Sequence, residues 1–364
     1  MKPYIPSSLP LQNLDWVKFI SLVGKANAEL ARYDGILQGI INPHVLLSPL
    51  TTNEAVLSSR IEGTQASLIE VLEFEASARV DIQTEKQKDI QEIINYRKAI
   101  GIAVNWLVKK PITLNMIKEI HSVLLDSVRG KDKARGRFRM VQNWIGKPGT
   151  PIEHADYVPP EPMRLMEFLS NFEKYIHYEE KDALVQLAIV HAQFEIVHPF
   201  VDGNGRVGRI LIPLFLYEKK LLGTPMFYIS EYLEANRDEY YDRLKAVTQD
   251  KKWEEWIEFF LNAIVEQAKI NSRKARVILD LYEKKKECIQ AITRSQYVIK
   301  ILDTLFARPV FSTTDFIRES GIPKASAIRL INLLEKNKVI SILRKGSGRK
   351  ANIFIFNKLL QIVK

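Results

Sequence analysis

A chain of 364 residues, 46% hydrophobic and 26% charged, has the make-up of an ordinary globular protein of about two or three domains. Its single cysteine, Cys288, excludes an internal disulfide framework and a Cys-rich zinc site. The densest apolar run, Ile210 to Tyr217, is interrupted by Pro213, and Met1 to Pro6 has no signal-like apolar stretch, so no membrane contact is expected and a reducing cytoplasm is. The net charge of +10 sits entirely in the tail: Ala291 to Lys364 holds 14 basic and 4 acidic residues, leaving the first 290 neutral. That asymmetry suggests an acidic partner for the tail, with nucleic acid foremost.

The spacing of Trp16, Phe19, Ile20 and Val23 predicts a helix over 15–33, and Thr51-Thr52-Asn53-Glu54 opens a second that ends at Gly63. Thr64 then caps a helix through Leu68, Val71 and Leu72. From about 85 to 275 three-to-four spacing dominates, with helices expected at 90–109, 113–125, 161–178, 182–197, 206–220 and 252–270. Residues 136–160 differ: glycines and prolines around Trp144-Ile145 read as an extended loop or short hairpin. No strand–helix alternation appears, which argues against a doubly wound sheet. The run Lys284-Lys285-Lys286-Glu287 marks the end of a long helix and a linker near 285–294. Beyond it, short helices at 295–306, 313–319 and 324–335 precede β-rich pieces at 339–343 and 351–356. Three helices followed by a hairpin with the basic tip Arg344 to Lys350 is winged-helix order. The domains are thus expected at 1–84, 85–284 and 291–364.

The segment that carries chemistry is His198-Pro199-Phe200-Val201-Asp202-Gly203-Asn204-Gly205-Arg206-Val207-Gly208-Arg209. A helix must stop before Pro199, because proline disfavours the helical conformation in its predecessor. The glycines let backbone N–H groups converge at the start of the next helix, and with the helix dipole behind them they form an anion cradle suited to phosphate. Arg206 and Arg209 can each fork onto phosphate oxygens. Asp202 is a hard oxygen donor for one Mg²⁺ bridging phosphates, and His198 titrates near neutrality and would accept a proton from a nucleophile. Base, metal ligand and anion cradle together describe phosphoryl or nucleotidyl transfer.

Competing readings fit less well. Gly203-x-Gly205-x-x-Gly208 matches the dinucleotide fingerprint but follows a helix, not a strand. No Walker A sequence occurs, and a His191/His198 metal pair has no third ligand in sight. A purely structural role for His198 and Asp202 as helix caps leaves the coincidence of His, Asp, glycines and arginines unexplained.

The stretch HPFVDGNGRVGR resembles the signature HPFx(D/E)GNGRxxR of the Fic family at every defined position. Gly136-x-Phe138-Arg139 and Tyr157-Val158-Pro159-Pro160 resemble the flanks of that family's flap, and Ser58-x-x-x-Glu62-Gly63 resembles its inhibitory motif (S/T)xxxE(G/N). The resemblance implies a mainly α protein, a Fic-type helical core with a short β-hairpin flap, plus the winged-helix tail. It also implies transfer of AMP from ATP, with Mg²⁺, to a Ser, Thr or Tyr hydroxyl of a protein, the chain itself included, releasing pyrophosphate.

In that comparison His198 is the base and Asp202 holds the metal. Gly203, Asn204, Gly205 and Arg206 surround the phosphates, with Val207 and Gly208 continuing the cofactor-binding run, and Arg209 engages the γ-phosphate. Phe200 packs beneath the loop, and 145–157 aligns the target by backbone pairing. Tyr240, with Tyr241 beside it, takes the adenine side; some members have asparagine eight residues on, where this chain has Thr248. Glu62, with Ser58, would engage Arg209 and exclude the γ-phosphate. Removal of AMP, a different nucleotide donor, or a DNA-binding regulator whose Fic region senses nucleotide are the alternative functions. In the tail, Lys324, Ser326 and Arg329 would meet bases and Arg344, Lys345, Arg349 and Lys350 phosphates; a protein-binding tail is the alternative.

Overall fold

The computed structural model describes residues 2–77, 84–126, 133–146, 149, 151–347 and 351–364. Among them the chain is mainly helical. The helices are α1 (Ile20–Gln38), α2 (Pro43–Leu46), α3 (Ser48–Ile61), α4 (Leu68–Ala76), α5 (Glu85–Leu107), α6 (Leu114–Leu124), α7 (Leu165–Ile176) and α8 (Ala183–Val197). They continue as α9 (Asn204–Glu218), α10 (Ser230–Ala235), α11 (Arg237–Asp250), α12 (Trp253–Thr293), α13 (Val298–Ala307), α14 (Thr313–Ser320), α15 (Lys324–Lys336) and α16 (Asn357–Val363). Three short strands, β1 (Val310–Ser312), β2 (Ser341–Arg344) and β3 (Ile353–Ile355), lie in the C-terminal segment. Among the described residues no helix is long and apolar enough to cross a membrane.

Local chemistry explains most boundaries. Thr113 caps α6 through Met116 N, and Asp182 caps α8 through Leu184 N and Val185 N at 2.9 and 3.0 Å. The cap of α4 is Ser67, in a reciprocal capping box with Glu70, and not the expected Thr64. The expected linker after Lys284 is absent, since α12 runs unbroken to Thr293. The lysine run does not end it because Ile278, Tyr282, Lys285 and Ile289 recur at helical spacing, and Lys285 buries its aliphatic stem on that side. Thr293 Oγ1 then donates to Ile289 O at 2.7 Å in the last turn.

The chain folds into two compact units, neither a continuous stretch of sequence. The first comprises 1–34, 57–63 and 95–269. Its centre is α8, whose residues 184–194 are all buried, which accounts for its nearly unbroken apolar sequence. Helices α7, α9 and α11 pack on it, α6 packs on α9, and Trp256 Nε1 donates to Ala188 O at 2.8 Å. Among the described residues of 136–160, an antiparallel bridge joins Ile145 to Tyr157.

The second unit comprises 35–56, 64–94 and 270–364. There α14 and α15 follow α13 and β1, and the strands form an antiparallel sheet of order β1-β3-β2, with Val310 opposite Ile355 and Ser341 opposite the same residue on the other side. Helix α4 packs on β1 and α2 on α13.

Candidate active site

The C-terminus of α8 and the N-terminus of α9 are antiparallel neighbours, and the chain between them must reverse within six residues, 198–203. The reversal starts at His198, which takes left-handed angles (φ 47°, ψ 60°) while its N–H donates to Phe194 O at 3.0 Å. A non-glycine residue pays about 1–2 kcal/mol for that conformation. Arg139 offsets the strain. Its Nε donates to His198 O at 2.9 Å, its Nη2 to Pro160 O at 2.6 Å, and its own N–H to Pro199 O at 2.9 Å. Burial pulls the Arg139 guanidinium down to about 10, so it stays charged at neutral pH. One arginine therefore ties the end of α8, the start of the reversal and the segment that ends at Pro160.

The middle of the reversal is fixed by Phe200, which is fully buried. Asn204 bonds it twice, accepting from Phe200 N at 2.8 Å and donating to Phe200 O at 2.9 Å. The Asn204 side chain is thus spent on the backbone; it braces the loop where the sequence comparison places it on phosphate. Below Phe200 lies His121, a residue the sequence reading passed over. Its ring stacks on Phe200 at 3.8 Å and 7°, Gly136 N donates to its Nδ1 at 2.9 Å, and its Nε2 lies 3.0 Å from Asp202 O. Because Nδ1 accepts, the proton is on Nε2, which donates to Asp202. Burial lowers His121 to about 4, consistent with a neutral ring. The sequence signal was a histidine on the buried face of α6, beside Met116, Ile117, Ile120 and Leu124.

His198 has the same neutrality by the same cause. Burial takes its imidazole to about 4 against the opposing pull of the Glu195 carbonyl. Its Nδ1 lies 3.3 Å from Glu195 O, which assigns the proton there and leaves the Nε2 lone pair as acceptor.

Gly203, at φ 80°, begins α9, and no side chain caps that helix. Asp202 Oδ1 stands 3.5 Å from Arg206 Nη2, with the Asp202 carboxyl 45% exposed and the arginine buried. Arg209 is 1% exposed; its Nε donates to Ser58 Oγ at 2.8 Å and its Nη2 to Ser58 O at 2.9 Å and Glu62 Oε1 at 2.6 Å. Burial resists ionisation of Glu62, but the charge and hydrogen bond of Arg209, with the charge of Arg206 behind them, outweigh it and hold the carboxyl below its ordinary range. The carboxylate also lies against the α9 N-terminus: a methyl group on Gly205 would overlap Glu62 Oε1. A side chain there would have to push the Glu62 carboxylate aside.

A cavity of about 330 Å³ opens between the Ile145–Tyr157 bridge, the end of α8 and α11. Ile145, Tyr157, Ile196, Tyr241 and Leu244 give it apolar walls, and Asp156, Glu195, Asp242, Lys245 and Thr248 supply polar ones. Two sequence candidates lie elsewhere. Tyr240 is buried behind the cavity, its hydroxyl 2.9 Å from His191 Nε2 and its ring against Trp256, because its side of α11 faces the aromatic core. Val207 is fully buried on the core side of α9, off the cradle. Tyr241 and Thr248 do line the cavity.

Mg²⁺ fits the donor set at Asp202. Among the described residues no group of three or more His, Cys, Asp or Glu would cage a metal. A lone, half-exposed carboxylate beside an anion cradle is what Mg²⁺ uses when phosphates supply its other ligands.

Residues 20–105 match the Fic/DOC family N-terminal model and residues 111–216 the Fic/DOC family model. The chain belongs to the Fic/DOC family. It is 28% identical over 202 residues, 52% of its length, to the "Protein adenylyltransferase Fic" of Drosophila grimshawi, covering 36% of that protein. Over 85 residues, 23% of its length, it is 35% identical to a "Probable protein adenylyltransferase" of Aquifex aeolicus, covering 27% of it. The chain thus spans about a third of the curated relatives it matches. In fold it is similar to a Fic family protein from Desulfovibrio desulfuricans (TM-score 0.59, 17% identity, 98% of both chains). It is also similar to a Fic-domain signaling protein from Bacteroides thetaiotaomicron (TM-score 0.53, 14% identity, 70% of this chain and 97% of that one). The reversal 198–209 lies within the Fic match, and Ser58 and Glu62 within the N-terminal match.

Proposed function

We propose that this Fic chain transfers AMP from ATP to a hydroxyl of a protein side chain and that Glu62 restrains it by occupying Arg209. The observation that carries the reading is the His198 imidazole, tied through Nδ1 to the Glu195 carbonyl, with Nε2 left as acceptor beside an uncapped helix N-terminus. An incoming hydroxyl oxygen would bond to the α-phosphorus as the bond to the β-phosphate oxygen breaks. Its proton would pass to His198 Nε2, and pyrophosphate would leave. The α9 N-terminus with Arg206 would hold the triphosphate, Arg209 the γ-phosphate, and the cavity beside Tyr241 the base. Bound at Asp202, Mg²⁺ supplies positive charge against the phosphates.

With ATP labelled on the α-phosphate and Mg²⁺, Glu62→Gly incorporates label into itself or into proteins of a cell extract, and Glu62→Gly/His198→Ala does not. Label arriving only from the γ-phosphate would instead make it a kinase, and no incorporation would refute the transfer.

A second reading concerns the tail, for which we propose a winged-helix fold and contact with DNA. Lys324 and Arg329 stand exposed on α15 and take no ion-pair partner among the described residues. The helix and strand order β1-β3-β2 supports the fold assignment. The expected role of Arg344 changes, because its guanidinium is engaged by Glu73 at 3.1 Å and Ser77 Oγ at 2.8 Å. Arg349 and Lys350 lie outside the described residues.

A further inference from the structure

Glu195 does more than present its carbonyl to His198. Its side chain sits in the wall of the cavity, and its Oε1 is shut off from solvent with no hydrogen-bond partner among the described residues. A sealed, unpaired carboxyl oxygen is costly, and a native protein tolerates it chiefly where something else will pair with the group. The carboxyl is held in place, because Oε1 lies against α9, where a methyl group on Gly208 would overlap it, while the Glu195 side chain also lines the cavity.

The chemical form of the group decides what it pairs with. An ionised carboxylate only accepts hydrogen bonds, whereas the neutral acid also donates one. Burial raises Glu195 to about 8, with Glu62 adding to the rise and Arg209 opposing it, so at pH 7 the acid prevails. The apolar part of the wall, Ile145, Tyr157, Ile196, Tyr241 and Leu244, is planar or aliphatic and suits a flat heterocycle, while Asp156, Asp242, Lys245 and Thr248 complete the lining.

We propose that Glu195 is a specificity-determining residue of this site, donating a hydrogen bond to a ring nitrogen of the nucleotide base held in the cavity. The inference rests on the reading of the cavity as the base pocket. Glutamine at 195 keeps a donor of the same reach; alanine removes it.

The test measures binding of ATP and of 1-deaza-, 3-deaza- and 7-deaza-ATP to the full chain by calorimetry at pH 7, for wild type, Glu195→Gln and Glu195→Ala. A single neutral hydrogen bond corresponds to about threefold to tenfold in affinity. Wild type and Glu195→Gln are expected to bind one of the three analogues more weakly than ATP by that factor, while Glu195→Ala binds that analogue and ATP equally. All four ligands carry the same triphosphate, so a general loss of fold would weaken them together and leave no such difference. Equal binding of every analogue by wild type, or discrimination retained in Glu195→Ala, overturns the role of Glu195 and leaves the nucleotide site standing. Absence of ATP binding to wild type and to Glu62→Gly alike overturns both.

Discussion

Replacing Glu62 by glycine removes the carboxylate that holds Arg209 and clears the space over Gly205. The pair is a charge-assisted hydrogen bond of 2.6 Å to an arginine that is 1% exposed, while the glutamate side chain is 32% exposed. Such bonds contribute about 1.5–3 kcal/mol, and the partial exposure of Glu62 places this one toward the lower part of that range. Before the γ-phosphate engages Arg209, that energy must be surrendered. At about 1.4 kcal/mol per tenfold, Glu62→Gly raises the rate of AMP incorporation at subsaturating ATP by about tenfold to fortyfold. Arg209 keeps its bonds from Nε and Nη2 to Ser58, so it is not left unpaired and the variant stays folded. Glu62→Gln, which loses charge but keeps an acceptor oxygen, falls between. The assay is the initial rate of α-phosphate label transfer with each variant at matched concentration, alongside its melting curve. Equal rates for wild type and Glu62→Gly, both folded, would refute restraint through this pair.

Other outcomes follow from the same geometry. His121 is neutral in the folded chain at about 4 against an ordinary 6.5, so its contribution to stability is whole above pH 6.5 and is lost as pH falls toward 4. That difference is worth about 3 kcal/mol at most. In urea unfolding, the stability gap between wild type and His121→Gln should shrink by up to that amount between pH 7 and 4.5; a constant gap would contradict the neutral state of the buried ring. Arg139→Met strips donors from His198 O and Pro160 O and should lower stability by about 2–4 kcal/mol, with transfer activity reduced even where the protein is fully folded. Unchanged activity in folded Arg139→Met would show that His198 holds its turn unaided. For the tail, Lys324→Ala and Arg329→Ala should each weaken binding to the preferred duplex by about 1–3 kcal/mol and relax its sequence preference, while Arg344→Ala changes affinity little. Salt-insensitive binding of wild type would point to a protein partner.

The helices could be read because their caps and apolar spacing are local: Thr113, Asp182 and the Pro199 stop all act within a few residues of what they control. The reversal 198–209 was readable for a related reason, since its base, carboxylate, glycines and arginines are consecutive in the chain. Long-range burial was hidden from the sequence. Whether Tyr240 or Tyr241 reaches the cavity depends on the face of α11 that meets Trp256, and neighbouring tyrosines look alike in a sequence. Asn204 resembled a ligand-binding amide because nothing local reveals that Phe200 consumes both its atoms. His121 was missed because its partners Gly136, Phe200 and Asp202 lie in loops far along the chain, Glu195 because its carboxyl faces Gly208 of α9, and Arg344 because its partners lie in α4 and its C-cap. The lysine run 284–287 misled because charge marks a solvated surface as readily as a helix end.

The central claim is that the backbone between α8 and α9 grips a triphosphate next to the His198 imidazole. A crystal structure of Glu62→Gly with ATP and Mg²⁺ tests it most directly. The account predicts phosphates over Gly203 to Arg206, Arg209 turned to the γ-phosphate, and the base beside Tyr241 and Glu195. A nucleotide bound elsewhere, with the reversal bare, would contradict it.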